Sequence, residues 1–273
     1  MRFFRPTRGP ACHFGRKRVT WPPQFGGSAT YAPGVGDPVA LCAEAVTGWH
    51  ASWLTALGLR SKRRAGIWQA VDRPPQIYFA GITLRPEVPS KAIAAVPGSI
   101  CDAWQTLDLA PHGFRVWRRE PWFYRAPAPL DQEAPAELEI VAVSTDSEVV
   151  EFEAVSVRGF GSEDATIEPG TWHPPTVLSD DAMHMFIGRV EGRAVAAAMG
   201  YRCESVVGVF GVTTVASARR RGYGSAVTRA AMLTQIGLPT VLAPSKEGEG
   251  VYRRLGFDRV GELSIWSRAG PAL

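Results

Sequence analysis

The chain has 273 residues, of which 45% are hydrophobic and 21% are charged. This composition provides enough apolar side chains for a hydrophobic core and excludes a wholly disordered chain. The main apolar runs, residues 194–200 and 206–215, have the length of strands, whereas a membrane-spanning helix needs about 20 apolar residues. We therefore expect a soluble protein of one or two domains with no membrane partner.

The net charge of +4 comes from the N-terminal segment. Residues 1–36 contain six of the 30 Lys and Arg residues and none of the 26 Asp and Glu residues, which leaves 24 basic and 26 acidic residues elsewhere. A basic surface over a whole domain, typical of nucleic-acid binding, is therefore not predicted. Five Pro, six Gly and no hydrophobic period leave three interpretations open: a flexible basic extension, a transit peptide, or a segment upstream of the true start.

The four cysteines predict neither a disulfide framework nor a metal site. They are scattered, with no C-x-x-C pair and no neighbouring His at metal-ligand spacing: Cys12, Cys42, Cys101 and Cys203. The first residues also lack the apolar stretch of a signal peptide. We expect reduced thiols, a cytoplasmic location and no metal cofactor.

The first half of the chain is rich in aromatic residues. A helix is predicted over 40–59 and strands over 67–71 and 76–84. Six of the nine tryptophans lie in this half and indicate a core or an interface: Trp49, Trp53, Trp68, Trp104, Trp117 and Trp122. The Pro- and Ala-rich residues 126–136 are typical of a linker and divide the chain into an accessory domain, 37–125, and a second domain, 137–273.

The second domain alternates between strand and helix patterns. Strands are predicted at 137–143, 183–190, 193–201, 205–215, 240–243 and 258–267, and helices at 146–157, 223–236 and 248–255. Between the first helix and the second strand lies a long polar loop, 159–181. This order predicts an α/β fold with a mixed sheet and helices on both faces.

The motif Arg219-x-x-Gly222-x-Gly224 lies where a predicted strand leads into a helix. Glycine lets the backbone approach a ligand closely, and the free N–H groups at a helix N-terminus bind anions. Arginines at 219, 220 and 221 add positive charge, so the segment predicts a diphosphate site. Neither the Rossmann pattern G-x-G-x-x-G nor the P-loop pattern G-K-[ST] is present.

This motif resembles the [RQ]-x-x-G-x-[GA] sequence of the GCN5-related N-acetyltransferase family. A second family segment, Asn followed seven residues later by Tyr and then by Gly-Phe, is matched by Ser245, Tyr252 and Gly256-Phe257. The two motifs stand in the family's order, about 30 residues apart. The resemblance covers residues 137–267 and implies an acyl-CoA N-acyltransferase fold for that half.

The resemblance implies acetyl-CoA as co-substrate. The pantetheine arm would pair with the strand residues Val212, Thr213 and Thr214. The diphosphate would contact the loop and helix start: Arg219, Arg220, Arg221, Gly222, Tyr223, Gly224 and Ser225. Ser245 stands where many members have Asn. Tyr252 would be the general acid that protonates the coenzyme A thiolate. Glu204 is the candidate general base, with Glu151 and Glu153 as further carboxylates near the acceptor cleft.

We therefore expect direct acetyl transfer, within a ternary complex, to the primary amine of a small molecule. One alternative is a non-catalytic coenzyme A-binding regulatory module; another is a nucleic-acid-associated protein that uses the basic segment. The spacing of Gly113-Phe114 before Trp122 echoes that of Phe257 before Trp266 and suggests that the accessory domain is a degenerate copy of the same fold. Its expected role is to wall the acceptor cleft or to form a homodimer, while loop 159–181 closes over the acceptor.

Overall fold

The computed structural model describes residues 37–130 and 133–268, so the interpretations of residues 1–36 lie outside the described residues. The strands are β1 (Ser61–Arg64), β2 (Ile67–Ala70), β3 (Gly81–Thr83), β4 (Ile100–Asp102), β5 (Arg115–Arg125), β6 (Glu139–Ala142), β7 (Met183–Val190), β8 (Arg193–Arg202), β9 (Val207–Thr214), β10 (Thr240–Leu242) and β11 (Asp258–Ser267). The helices are α1 (Pro38–Ala56), α2 (Ser90–Ile93), α3 (Asp146–Phe160), α4 (Tyr223–Met232) and α5 (Glu249–Arg254). Short 3-10 turns lie at Ala110–His112, Pro175–Ser179 and Ala216–Ala218.

One mixed sheet of 11 strands runs through the described residues and confirms the predicted α/β class. Its order is β1-β2-β3-β4-β11-β5-β10-β9-β8-β7-β6. Most neighbours are antiparallel, whereas β3 with β4 and β9 with β10 are parallel. The strand predicted over 76–84 is shorter than expected, because only residues 81–83 pair with β2.

The two predicted halves share this sheet through exchanged strands. β5, from the first half, lies between β10 and β11, and β11, from the second half, lies between β4 and β5. Trp122 and Phe123 on β5 and Leu263 on β11 are buried there. The hydrophobic core is therefore continuous across the predicted linker.

Helix α1 spans Pro38–Ala56, two residues earlier at its start and three residues earlier at its end than the predicted 40–59. The side chain of Asp37 accepts a hydrogen bond of 3.0 Å from the backbone N–H of Val39, and Pro38 occupies the first turn, where no intrahelical N–H is needed. Gly58, with φ +72°, follows the last turn. Trp53 and Leu54 are fully buried, so packing rather than exposed polar contacts holds the helix.

α1 and α4 cover opposite faces of the sheet. A side chain at Gly200 would meet α4 at Ala231, whereas the next residue, Tyr201, contacts Gly48 of α1. Successive strand residues point to opposite faces. α3 lies on the same side as α1, because Thr213 packs against Gly159 of α3 while Thr214 approaches α4.

Strands β9 and β10 pair only at their beginnings. The parallel register contains Thr240 opposite Val207 and Val241 opposite Gly208, and no later β9 residue within the described chain pairs with β10. On its other side β9 bulges, with residues 211 and 212 opposite the single residue Ala198 of β8. The two strands therefore diverge toward the end of β9 and leave backbone groups of β9 unpaired on that side.

No helix in the part of the chain that the structure describes is long and apolar enough to span a membrane.

Candidate active site

The loop between β9 and α4 presents an uncapped helix N-terminus. Gly222 occupies the N-cap position with φ +85°, no side chain caps the helix, and its first turn holds no acidic residue. The first backbone N–H groups of an α-helix have no intrahelical partner and favour an anion. Arg220 has a positive φ of +63°, a strained conformation for a residue with a side chain. The loop is thus shaped for anion binding at a cost in backbone strain.

The structure requires glycine at the two positions of the motif for different reasons. Gly222 adopts the left-handed conformation that side chains disfavour. Gly224 has ordinary dihedrals, but a Cβ atom there would lie 3.3 Å from Oγ1 of Thr214. The first therefore permits the turn, and the second lets α4 begin close to the end of β9.

The three exposed arginines of the motif differ in their contacts, because Arg219 supports the loop through hydrogen bonds. The Arg219 side chain donates hydrogen bonds of 3.1 Å to the Thr214 carbonyl and 2.9 Å to the Gly159 carbonyl. It ties the loop to both β9 and α3. Arg220 and Arg221 are exposed beside the α4 N-terminus, where their charges add to the positive end of the helix dipole.

The strand residues predicted to face the pantetheine arm differ in exposure. Thr213 is buried against α3, so its side chain is not available to a ligand. Val212 and Thr214 are half-buried, one on the bulge and the other next to α4. The side of β9 that diverges from β10 therefore offers backbone groups rather than side chains, and of these the Thr214 carbonyl already accepts from Arg219.

Tyr223 and Ser225 occupy the first turn of α4. The Tyr223 hydroxyl is directed away from the loop and donates a hydrogen bond of 2.9 Å to Glu137. Its side chain anchors the helix to the segment before β6, and only its backbone N–H remains for an anion. Ser225 is half-buried at the third helical position, so both its N–H and its hydroxyl can serve an anion.

Tyr252 lies on α5 with its ring buried against Phe257, at a centroid distance of 6.0 Å. Gly248 provides space for the ring, since a Cβ atom there would lie 3.0 Å from Cε2 of Tyr252. Among the described residues the hydroxyl has no hydrogen-bond partner. Burial raises the pKa of Tyr252 to about 12, so the phenol is protonated at neutral pH and is able to donate a proton.

Ser245 shapes the turn before α5. Its hydroxyl accepts a hydrogen bond of 3.3 Å from the backbone N–H of Gly248, and its carbonyl accepts from Gly248 and Glu249. The residue is exposed. Its observed contacts thus position α5, and through that helix Tyr252.

Glu204, the candidate general base, does not lie near the loop between β9 and α4. Glu204 is exposed in the turn before β9, whereas the loop begins after Thr214 at the other end of the strand. At about 3.3 Å per residue the two ends of β9 are about 25 Å apart. Glu151 pairs with Arg189, and Glu153 is buried, accepting backbone hydrogen bonds from the loop after α3. Glu151 and Glu153 are therefore engaged in contacts of their own, and Glu204 lies at the far end of β9 from the anion loop.

Solved structures share this arrangement of strands and helices. A GCN5-related N-acetyltransferase from Kribbella flavida is 21% identical, with a TM-score of 0.58 over 84% of this chain and 97% of that one. The chain has the GCN5-related N-acetyltransferase fold. A putative acetyltransferase of that family from Novosphingobium aromaticivorans is 17% identical, with a TM-score of 0.53 over 83% and 99% of the two chains. No family model matches the sequence. No curated protein matches it either.

The likeness to this N-acetyltransferase fold extends beyond the half that carries the motifs. Residues 137–267, on which the sequence resemblance rested, are about half of the 273 residues, whereas the superposition covers 84% of the chain. The Trp-rich first half thus belongs to the shared architecture.

The sequence did not predict that the first half of the chain packs against β9, the strand that precedes the glycine motif. On α1, Trp49 stacks on Phe210 of β9 at 4.9 Å, and Trp53 meets His173 edge-on at 4.7 Å. The Tyr78 hydroxyl donates a hydrogen bond of 2.6 Å to the Trp172 carbonyl. The high number of tryptophans in the first half indicated a core or an interface, but it did not identify the strand that these residues contact.

Two histidines lie within this aromatic cluster and are neutral. Burial lowers the pKa of His50 and of His173 to about 4. No group of three or more His, Cys, Asp or Glu side chains within residues 37–130 and 133–268 is placed to hold a metal ion.

Proposed function

We propose that the protein is an N-acetyltransferase that transfers the acetyl group of acetyl-CoA to a primary amine of a small molecule, by direct transfer in a ternary complex. The observation that carries this proposal is the uncapped α4 N-terminus, set behind Gly222 at the open end of the divergent strands β9 and β10. Together these features offer an anion site and a free strand edge side by side.

Two groups of residues would bind two parts of acetyl-CoA, its diphosphate and its pantetheine arm. The diphosphate would accept hydrogen bonds from the backbone N–H groups of Gly222, Tyr223, Gly224 and Ser225, with Arg220 and Arg221 adding charge. The pantetheine arm carries amides, which would pair as an added strand does with backbone groups of β9 on the side that diverges from β10, apart from the Thr214 carbonyl, which accepts from Arg219. Arg219 would act indirectly, by holding the loop.

Tyr252 would complete the transfer. A neutral amine attacks the thioester carbonyl, the C–N bond forms, and the tetrahedral intermediate collapses with cleavage of the C–S bond. The departing thiolate takes the phenolic proton of Tyr252, and the nitrogen releases its own proton to water. A water relay is proposed because Glu151 is paired with Arg189 and Glu153 is buried against the loop after α3, and Glu204 is the alternative candidate base.

The test is acetyl-CoA binding by calorimetry with one matched pair of variants. Gly222→Glu places bulk and negative charge where the diphosphate would lie. Gly192→Glu, in the β7–β8 hairpin, makes the same change at another glycine of positive φ, +78°, with open space around it. We expect binding by the wild type and by Gly192→Glu, and loss of binding by Gly222→Glu. Absence of binding by the wild type, or equal binding by both variants, would refute the proposal.

A further inference from the structure

The carboxylate of Glu163 joins the long loop after α3 to the loop between β9 and α4. Its Oε1 atom accepts a hydrogen bond of 2.9 Å from the backbone N–H of Ser217 and one of 2.6 Å from the Ser217 hydroxyl. Ser217 is the middle residue of the 3-10 turn Ala216–Ala218, which leads directly into Arg219. The two residues are 54 positions apart in the sequence, so the contact joins two separate loops.

The backbone around Glu163 is itself held in a turn. The N–H of Ala165 donates a hydrogen bond of 2.9 Å to the Ser162 carbonyl, and the N–H of Asp164 donates one of 3.4 Å to the Ser162 hydroxyl. A preorganised backbone lowers the entropic cost of a contact made by its side chains. Glu163 is therefore able to hold Ser217, although both residues are exposed.

The turn that Glu163 contacts precedes the strained part of the anion loop. Arg220, three residues after Ser217, has a positive φ of +63°. A strained backbone conformation persists only where neighbouring contacts hold it. Two side-chain contacts tie this stretch to the end of α3 and the residues after it, that of Arg219 with the Gly159 carbonyl and that of Glu163 with Ser217.

The charge of Glu163 and its hydrogen bonds have opposite effects on an anion. The hydrogen bonds from Ser217 and the charge of Arg219 lower the pKa of Glu163, so the carboxylate is ionised at neutral pH. A negative charge beside a loop that favours an anion weakens anion binding. Any support that Glu163 gives to a bound anion must therefore come from its hydrogen bonds.

We propose that Glu163 is a positioning residue for acetyl-CoA, which holds the turn before the anion loop and couples coenzyme binding to the order of the long loop. The inference rests on the proposed function and adds to it a residue that acts through Ser217. When the diphosphate fixes the anion loop, the turn at Ser217 is fixed with it, and Glu163 passes this order to residues 161–168. Because coupling is reciprocal, the ordered long loop in turn strengthens acetyl-CoA binding.

The first experiment is calorimetric titration of the full chain with acetyl-CoA. We expect Glu163→Ala to weaken binding about fivefold, because both hydrogen bonds to Ser217 are lost. Glu163→Gln should bind no more weakly than the wild type, since its amide oxygen accepts the same hydrogen bonds and the repelling charge is absent. Asp164→Ala is the matched control, because it removes the same charge from the adjacent exposed residue, and it should also bind no more weakly than the wild type.

Hydrogen exchange measures the coupling between the two loops. In the wild type, acetyl-CoA should slow exchange in the first turn of α4, at Ser217 and in residues 161–168. In Glu163→Ala at saturating acetyl-CoA, the slowing should remain in α4 and be lost in residues 161–168. A side chain that only stabilised the fold would leave this pattern unchanged.

Three results would overturn the inference: binding by Glu163→Ala as tight as that of the wild type, binding by Glu163→Gln as weak as that of Glu163→Ala, or equal slowing of exchange in residues 161–168 of the wild type and Glu163→Ala. Each of these, together with acetyl-CoA binding by the wild type, refutes the role of Glu163 and leaves the proposed function intact. Absence of acetyl-CoA binding by the wild type refutes the proposed function and this role together.

Discussion

The carboxylate of Glu153 on α3 accepts a hydrogen bond of 2.9 Å from the backbone N–H of His173, 20 residues later in the chain. The same carboxylate accepts hydrogen bonds of 2.6 Å from Gly170 and 2.7 Å from Trp172. Glu153 is only 1% exposed, and three N–H donors compensate for the loss of its hydration. Glu153 is therefore a buried polar anchor that fixes the long loop after α3 to the helix.

Replacing this carboxylate should release the loop. We expect Glu153→Gln to lower the free energy of unfolding by about 2–3 kcal/mol, because the amide offers one acceptor oxygen where the carboxylate offered two. Denaturant unfolding measures the loss, and hydrogen exchange at residues 170–173 should accelerate. Glu151→Gln is the control, since it removes a partly exposed ion pair with Arg189, worth about 1 kcal/mol or less. Equal effects of the two substitutions would contradict the assignment.

Arg219 should support acetyl-CoA binding through the shape of the loop. Its two hydrogen bonds, to Thr214 and Gly159, require the forked guanidinium, so we expect both Arg219→Ala and Arg219→Lys to weaken binding about tenfold. Arg220→Ala should weaken binding only through charge, and the loss should shrink as salt is raised from about 0.05 to 0.5 M. Calorimetry at the two salt concentrations separates these roles. Full rescue by Arg219→Lys would show that charge alone matters.

Tyr252→Phe should separate chemistry from binding. The hydroxyl has no partner among the described residues, so its removal should leave the acetyl-CoA dissociation constant unchanged. If it protonates the thiolate, kcat in a thiol-release assay should fall about 100-fold. The wild-type rate should show no loss up to about pH 10 from this group, because burial raises its pKa to about 12. Wild-type turnover by the variant would exclude Tyr252 as the acid, and tight binding without turnover by either protein would favour a non-catalytic module.

Acidification should destabilise the aromatic cluster. In the folded chain burial lowers the pKa of His50 and His173 to about 4, whereas unfolded histidine binds its proton near pH 6.5. The unfolded state therefore binds more protons between these values, and stability present above pH 6.5 is lost as the pH falls toward 4. The loss should be about 3 kcal/mol for each histidine at pH 4.

Urea unfolding at about pH 7, 5.5 and 4 measures this loss, and His173→Gln should make the pH dependence shallower. The exposed residue His112 provides the control substitution, His112→Gln. An equal pH dependence in all three proteins would show that His173 does not contribute to the effect.

Local chemistry was the part of the site that sequence could predict. A glycine in the left-handed conformation just before a helix is determined by a few neighbouring residues. The sequence motif therefore predicted Gly222 and the N-terminus of α4. The role of Glu153 was not predicted, because its partners are 17 to 20 residues away and are backbone groups. Contacts between residues distant in sequence are therefore what the sequence could not predict.

The same limit applies to the domain boundary predicted at residues 126–136. That segment joins β5 to β6, but β5 pairs with β11 and β10, which follow more than 100 residues later. Hydrophobic periodicity reports that a strand is buried and does not name its partner. The exchange of β5 and β11 could therefore not be read from the sequence, although both strands were near the aromatic residues that suggested a core or interface.

The exchange of strands predicts that neither half folds alone. A chain ending at residue 130 lacks β11 between β4 and β5, and a chain beginning at residue 133 lacks β5 between β10 and β11. Each would expose unpaired strand edges and apolar side chains such as Trp122 or Leu263. We expect each half expressed by itself to aggregate or to unfold without cooperativity, and co-expression to restore a soluble complex that unfolds in one transition. A second half that is monomeric and unfolds cooperatively by itself would show that the halves are independent domains and that β5 is dispensable for the proposed site.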